Sequence, residues 1–224
     1  ENQKVKTELK GSEAFSYIEV ELQPGETIIS ESDAMSSMDG ELHLTAKLNG
    51  GFFKGLLRKY LGGESLFINY FTNNTNKARR MTLVQSTPGE IRQRKMSNDE
   101  IYLQPGAFVA CSDGVKLDLE WAGIVSFIAR EGLFRLKISG NGDLFYGAYG
   151  ALLEREIDGE YIVDTSHLVA YEPGIKLKLQ LAGGIFSSFF GGEGLVTRVE
   201  GKGKIIIQSR SITGLAGWLN PKFW

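Results

Sequence analysis

The chain has 224 residues, 42% apolar and 23% charged, with a net charge of −2. These proportions exclude a disordered or fibrous chain, and the near-neutral balance excludes general attraction to nucleic acid or anionic lipid. The single cysteine, Cys111, excludes an internal disulfide framework, and no run of eighteen apolar residues marks a membrane-spanning helix.

Residues 1–14 contain ENQKVKTELKGSE, which lacks the apolar core of a secretory signal. They read as an extension ahead of one all-β domain over 15–212, and a reducing, cytoplasmic setting is expected. Glycine, at 28 residues against 5 prolines, is spread along the chain. That distribution implies many tight turns between short strands.

The domain reads as three tandem units, 15–96, 97–156 and 157–212. In the first, LQPGETIIS (Leu22–Ser30) is a turn followed by a strand. ELHLTAKL places His43 with Glu41 and Thr45 on a wet face. The segment 48–65, LNGGFFKGLLRKYLGGES, sets Phe52, Phe53, Leu56 and Leu57 between glycine pairs, and Phe53, Leu56, Leu57 and Tyr60 fit a short helix. NNTNKARRMTLV is a polar turn entering a strand, and its Asn73-Asn74-Thr75 sequon is read as fortuitous. Lys77, Arg79, Arg80, Arg92, Arg94 and Lys95 form a basic stripe opposed only by Glu90.

The second and third units align without a gap, LQPGAFVACSDGVKL (103–117) on VDTSHLVAYEPGIKL (163–177). LQPG at 22–25 is matched to LQPG at 103–106, which sets Cys111 against Ser30 and Tyr171. Val115, Leu117 and Leu119 alternate with Lys116, Asp118 and Glu120, and Ile175, Leu177, Leu179 and Leu181 repeat the pattern. A period of two means strands with one dry face. WAGIVSFIAREG carries Ile124, Val125, Phe127 and Ile128, and LAGGIFSSFFGGEGL carries Ile185, Phe186, Phe189 and Phe190. GNGDLFYG and GKGKIII read as hairpin turns, and residues 213–224 form a tail.

Apolar content at one place in every unit implies homo-oligomerisation, with other protein partners or a peripheral membrane surface as further occupants. Glu64, Glu131 and Glu193 recur at equivalent turns, where carboxylates gathered on an axis are a candidate for a hard cation. Pairing with local backbone N–H groups is the preferred role for them. The scarcity of histidine and cysteine makes a metal site unexpected, no phosphate loop occurs, and no cofactor or catalytic residue is assigned. His167, three residues after Asp164, is expected to hydrogen-bond that carboxylate within a turn. A hydrolase-like enzyme at this pair, and nucleic-acid binding by the basic stripe, are the alternative readings.

Taken in order, LQPGETIISESDAMSSMDGEL, GGESLF, PGEI, EGLFRLKISGNGDLFYGAYG, VDTSHLVAYE and GGEGLVTRVEGKGKIIIQSRS resemble a bacterial family. Its mitochondrial relatives are the altered-inheritance-of-mitochondria type. The likeness runs from Tyr17 to Ser211, with Asp33 in place of the family's usual glycine. It implies a fold similar to that of the tryptophan RNA-binding attenuation protein, repeated three times as β-sandwich or double-stranded β-helix units in a pseudo-threefold arrangement. It also implies a link to mitochondrial membrane organisation and respiratory growth. No catalytic residue follows from it, and fold likeness transfers neither tryptophan nor RNA binding. The expected function is a non-enzymatic, self-associating binding or scaffolding protein.

Overall fold

A computed structural model describes residues 5–48, 67–121, 134–181 and 195–222. The fold is all-β and antiparallel. A first strand set comprises β2 (Tyr17–Leu22), β3 (Thr27–Glu31), β4 (Met35–Met38), β5 (His43–Leu48), β6 (Phe67–Thr72) and β7 (Arg79–Val84), with β1 (Lys6–Lys10) added along β2. A second set comprises β8 (Ile91–Leu103), β9 (Phe108–Ser112), β10 (Val115–Trp121) and β11 (Phe134–Gly147). A third comprises β12 (Leu152–Asp164), β13 (Leu168–Tyr171), β14 (Ile175–Leu181) and β15 (Leu195–Gln208), followed by helix α1 (Ile212–Leu219). The four-stranded sheet runs β1-β2-β7-β4, and the larger sheet runs β12-β15-β13-β8-β11-β9-β3-β6-β5, with β10 also on β11 and β14 on β15.

Strands such as β2 and β7 alternate deeply and less deeply buried positions because one face meets a core, whereas the short strands β9 and β13 are buried on both faces. In the second set, β11 holds β8 along one edge, while β10 and then β9 share the other. β15 does the same with β12, β14 and β13. The change of partner falls at Gly140–Gly142 in β11 and at Gly201–Gly203 in β15, where φ is +105°, +141°, +126° and +151° for the four glycines. GNGDLFYG and GKGKIII are therefore not hairpin turns. They lie inside continuous strands, bending them at backbone angles that only glycine adopts without strain. In the first set the bend is a break between β6 and β7. There the buried Asn73 amide donates to Leu22 O and Lys77 O, both at 2.8 Å, so the sequon side chain is packed inside the turn.

Two further readings change. The two LQPG motifs occupy different places, Leu22–Gly25 between β2 and β3 and Leu103–Gly106 between β8 and β9. The short strand that matches β9 and β13 is β4, because all three carry a register shift at one position: between Met35 and Ser37, opposite Phe145 and Tyr146 for β9, and between Leu168 and Ala170. Met38 therefore stands where Cys111 and Tyr171 stand, and Ser30 does not. The unit limits placed at 96/97 and 156/157 fall inside β8 and β12.

Three buried clusters result, and each takes residues from a neighbouring set. Ile18, Val20, Leu22, Phe71 and Leu83 are joined by Val109, Ala110 and Phe145. Ile101, Leu103, Leu136, Ile138 and Leu144 are joined by Ile29 and Ile68 on one side and by Val169, Ala170 and Ile206 on the other. Val163, Val199 and Ile205 are flanked by Tyr102. A Cβ at Gly140 would lie 2.6 Å from Gly114 O, whereas Gly159, also at positive φ, has nothing within 4 Å. Gly140→Val is expected to lower unfolding free energy by at least about 3 kcal/mol, against about 1 kcal/mol for Gly159→Ala, measured by chemical denaturation.

Candidate functional site

Each of the three long hairpins is paired up to the edge of an apolar segment. The last pairs are Leu48 with Phe67 in β5–β6, Trp121 with Phe134 in β10–β11, and Leu181 with Leu195 in β14–β15. The candidate interaction residues Phe52, Phe53, Leu56, Leu57, Ile124, Phe127, Ile185, Phe186, Phe189 and Phe190 lie outside the described residues. So do Glu64, Glu131, Glu193 and the segment read as a short helix. The described stems run up to the borders of all three segments.

The Asp164–His167 pair is not formed. The Asp164 carboxylate accepts from Ser166 N at 2.8 Å and from Ser166 Oγ at 2.7 Å, capping the turn between β12 and β13. His167 Nδ1 lies 2.6 Å from Gln208 O and donates to that carbonyl. Gln208 Nε2 in turn donates to Ser166 O at 2.9 Å. Asp164 is thus used in closing the turn, and His167 in tying the end of β15 to it. His43 is exposed on β5, as the alternation predicts.

The basic stripe is interleaved with carboxylates, Glu90 and Asp99 from its own stretch of chain and Glu21, Glu41 and Glu172 from elsewhere in the fold. Arg79 meets Glu41 at 2.7 Å, Arg80 meets Glu21 at 3.4 Å and Arg92 meets Glu90 at 2.7 Å. Arg94 meets Asp99 at 2.6 Å and Glu172 at 3.8 Å, while Lys77 and Lys95 are exposed. Arg92 and Arg94 do share a face of β8, as expected, but Arg92 is turned inward to donate to Leu152 O at 2.6 Å. Cys111 is buried, and burial pushes its thiol well above the ordinary value, so it stays protonated and unreactive. Among the described residues no group of histidine, cysteine and carboxylate side chains is arranged to hold a metal.

One cluster was not legible in the sequence. Tyr102 on β8 and Tyr171 on β13 stack with ring centroids 5.2 Å apart, and the Arg135 guanidinium sits 4.1 Å above the Tyr102 ring. Arg135 donates to Tyr171 Oη at 3.1 Å and to Glu120 at 2.9 Å. Burial raises the Tyr171 phenol and outweighs the opposing pull of Arg135, so it stays neutral. This cluster clamps the second strand set to the third, beside the two-residue ladder of Ala170 with Leu103 and Tyr171 with Tyr102. The only sequence signal is that β8 and β13 each carry a tyrosine at that point. The tail proves helical over α1, capped by Ser211 Oγ, which accepts from Gly214 N at 3.0 Å. Its Ile212, Leu215 and Trp218 are exposed.

The whole strand pattern has relatives. Residues 7–210 match the family described as "Mitochondrial biogenesis AIM24". The chain belongs to the AIM24 family. An uncharacterized protein of Streptococcus pyogenes serotype M6 is 28% identical over 214 residues, spanning 92% of this chain and 86% of the relative. A crystal structure of a Streptococcus pyogenes protein superposes with a TM-score of 0.80 at 26% identity, covering 98% of this chain and 100% of that one. AIM24 membership thus agrees with the likeness drawn from the motifs. No described helix is long and apolar enough to cross a membrane.

Two outcomes are expected for this AIM24 chain. Arg135→Ala should lower stability by about 1–3 kcal/mol, since it removes a charge-assisted hydrogen bond and a cation–ring contact together, measured by thermal and denaturant unfolding. For Asp99, burial raises the carboxyl, but the Arg94 hydrogen bond, the Ser97 N–H and the Arg94 charge outweigh it and hold it below the ordinary value. A depressed folded-state value stabilises above the unfolded value and is lost as pH falls through the folded one. Asp99→Asn should therefore lower the unfolding midpoint at pH 7, and its difference from wild type should shrink as pH falls below the ordinary carboxylate range.

Proposed function

We propose that this chain is a non-enzymatic, self-associating β scaffold, built from three copies of one sheet module and binding its partners through the apolar segments 48–65, 121–132 and 181–195. The observation that carries this reading is the matched position of those segments at the ends of equivalent hairpins. The module is a long strand or strand pair (β2–β3, β8 or β12), a short strand with a shifted register (β4, β9 or β13), and a hairpin whose second arm continues past a bend. This scheme supports a three-unit arrangement of the attenuation-protein type.

A dozen large apolar side chains recur at one place per module, and each contributes roughly 1.5–3 kcal/mol when buried. Contact between copies or with a partner protein is the arrangement that removes them from water. The salt-bridged state of the basic stripe favours this reading over nucleic-acid binding. The occupied hydrogen bonds of Asp164 and His167 favour it over hydrolysis. A lone buried cysteine suits a reducing compartment. The AIM24 family's description names mitochondrial biogenesis, and the resemblance drawn from the motifs extends this reading to a peripheral membrane contact through the same apolar segments.

Sedimentation velocity of the wild type should give an oligomer. Phe186→Ser with Phe189→Ser should shift it toward monomer while the unfolding midpoint is retained. A wild-type chain that sediments as a monomer at high micromolar concentration, or a variant that assembles unchanged, overturns the reading.

A further inference from the structure

The chain contains two junctions between strand sets, and they have the same construction. At the first, Ile29 faces Cys111 and Ser30 faces Ala110. At the second, Tyr102 faces Tyr171 and Leu103 faces Ala170. The donating strand sends one side chain into the next set's cluster, Ile29 in the first case and Tyr102 in the second. The receiving strand sends the residue at its register shift into the preceding set's cluster, Val109 and Val169 respectively.

The ladders identify the same positions at the two ends of the chain. Val115 faces Gly140 and Ile175 faces Gly201, so Lys137 and Arg198 are equivalent, and with them their partners Tyr102 and Ile162. Cys111 faces Leu144, Tyr171 faces Ile205 and Met38 faces Met81, so Met38 is the receiving residue of the first set. These end positions have no counterpart strand among the described residues, where β12 pairs only with β15 and β4 only with β7. Their side chains are correspondingly exposed. Tyr161 is 41% and Ile162 48% exposed, whereas Ile101, the equivalent of Tyr161, is 1% exposed. Met35 is 37% exposed, whereas Phe108 and Leu168 at the same position are 0% and 3%. Beside β4 lies an open depression lined by Phe15, Tyr17, Ser36, Thr82, Val84 and Pro88.

We propose that a second copy of this chain completes the third junction, with Ile162 on β12 of one copy facing Met38 on β4 of the next. The proposal rests on the three-module reading but not on the apolar segments. The two internal junctions are its template, and a donating edge and a receiving edge at opposite ends of one chain give a head-to-tail contact. Ser36 stands where Val109 and Val169 stand, and Thr82 where Phe145 and Ile206 stand. These substitutions keep the receiving face wettable, so the contact is weaker than the internal ones and depends on concentration. Tyr161 enters the depression between Phe15 and Val84, while Ile162, on the opposite face of β12, meets Met38.

The test mixes two single variants, Met38→Cys and Ile162→Cys, under mild oxidation; buried Cys111 does not compete. The mixture should give a covalent dimer that neither variant gives alone, and the double variant should give a ladder of covalent oligomers. Ile162→Asp should weaken association at least about tenfold, because a charge would replace a buried apolar contact. No dimer from the mixture, a dimer from one variant alone, or an intrachain disulfide in the double variant at monomer mass each overturns the proposal, the last by closing the junction within one chain. Introducing Phe186→Ser and Phe189→Ser into the cross-linking pair separates the two readings. Cross-linking that survives while wild-type sedimentation is unaffected by the serines leaves this junction standing and removes the apolar-segment reading. Serines that disperse the wild-type oligomer, together with no cross-link, do the reverse.

Discussion

A single constraint runs through the molecule: a long strand must serve two short partners in succession along one edge. β11 leaves β10 for β9, and β15 leaves β14 for β13, without breaking the ladder to β8 or β12 on the other edge. The strand has to bend sharply at that point while its backbone groups stay paired, since unpaired buried N–H and C=O groups are costly. Paired glycines at positive φ meet that demand in two places. In the first strand set the chain is cut instead into β6 and β7, and the buried Asn73 amide supplies the bonds that the missing ladder leaves open. The short strands then stand across the ends of the neighbouring set, and that crossing creates the junctions.

Because the junctions exchange side chains, the clusters are not independent cores. Val109 and Phe145 complete one, and Val169 and Ile206 complete another. Damage at a junction is therefore felt on both sides of it, whereas an open strand position such as Gly159 is insulated. Between the second and third sets the apolar exchange is supplemented by the Tyr102–Arg135–Tyr171 stack. Arg135 stands there where Ile68 stands in the first set, on the strand beside the junction. An aromatic–guanidinium stack tolerates the partial exposure at that seam better than an aliphatic contact does.

The electrostatics follow from the same topology. Glu21, Glu41 and Glu172 are distant in sequence from Arg79, Arg80 and Arg94, yet antiparallel pairing sets them alongside. A stripe that reads as basic over twenty residues is a mixed-charge surface once its neighbours are counted. Such pairs contribute little to stability individually, but they cancel the field that a polyanion needs. The AIM24 match and the streptococcal structure bear on the fold and the family.

Much of the fold was legible from residues alone. Period-two alternation identified β10 and β14, the glycine count implied many short strands, and the gapless alignment of 103–117 with 163–177 correctly matched β9 to β13. Those signals are local, and local sterics and burial suffice to produce them. Other features had no local signature. Two LQPG motifs took different places because a turn motif specifies a turn but not its position in a sheet. GNG and GKG became bends within strands because the choice between bend and hairpin depends on which partners lie alongside. Asp164 bonded Ser166 rather than His167, whose ring was claimed by a carbonyl 41 residues further along. Sequence by itself determined that this chain is strands with one dry face and a recurring apolar segment. Tertiary structure alone decided which strand edges meet, since backbone pairing is indifferent to residue type and is selected by the shape of the assembled sheet.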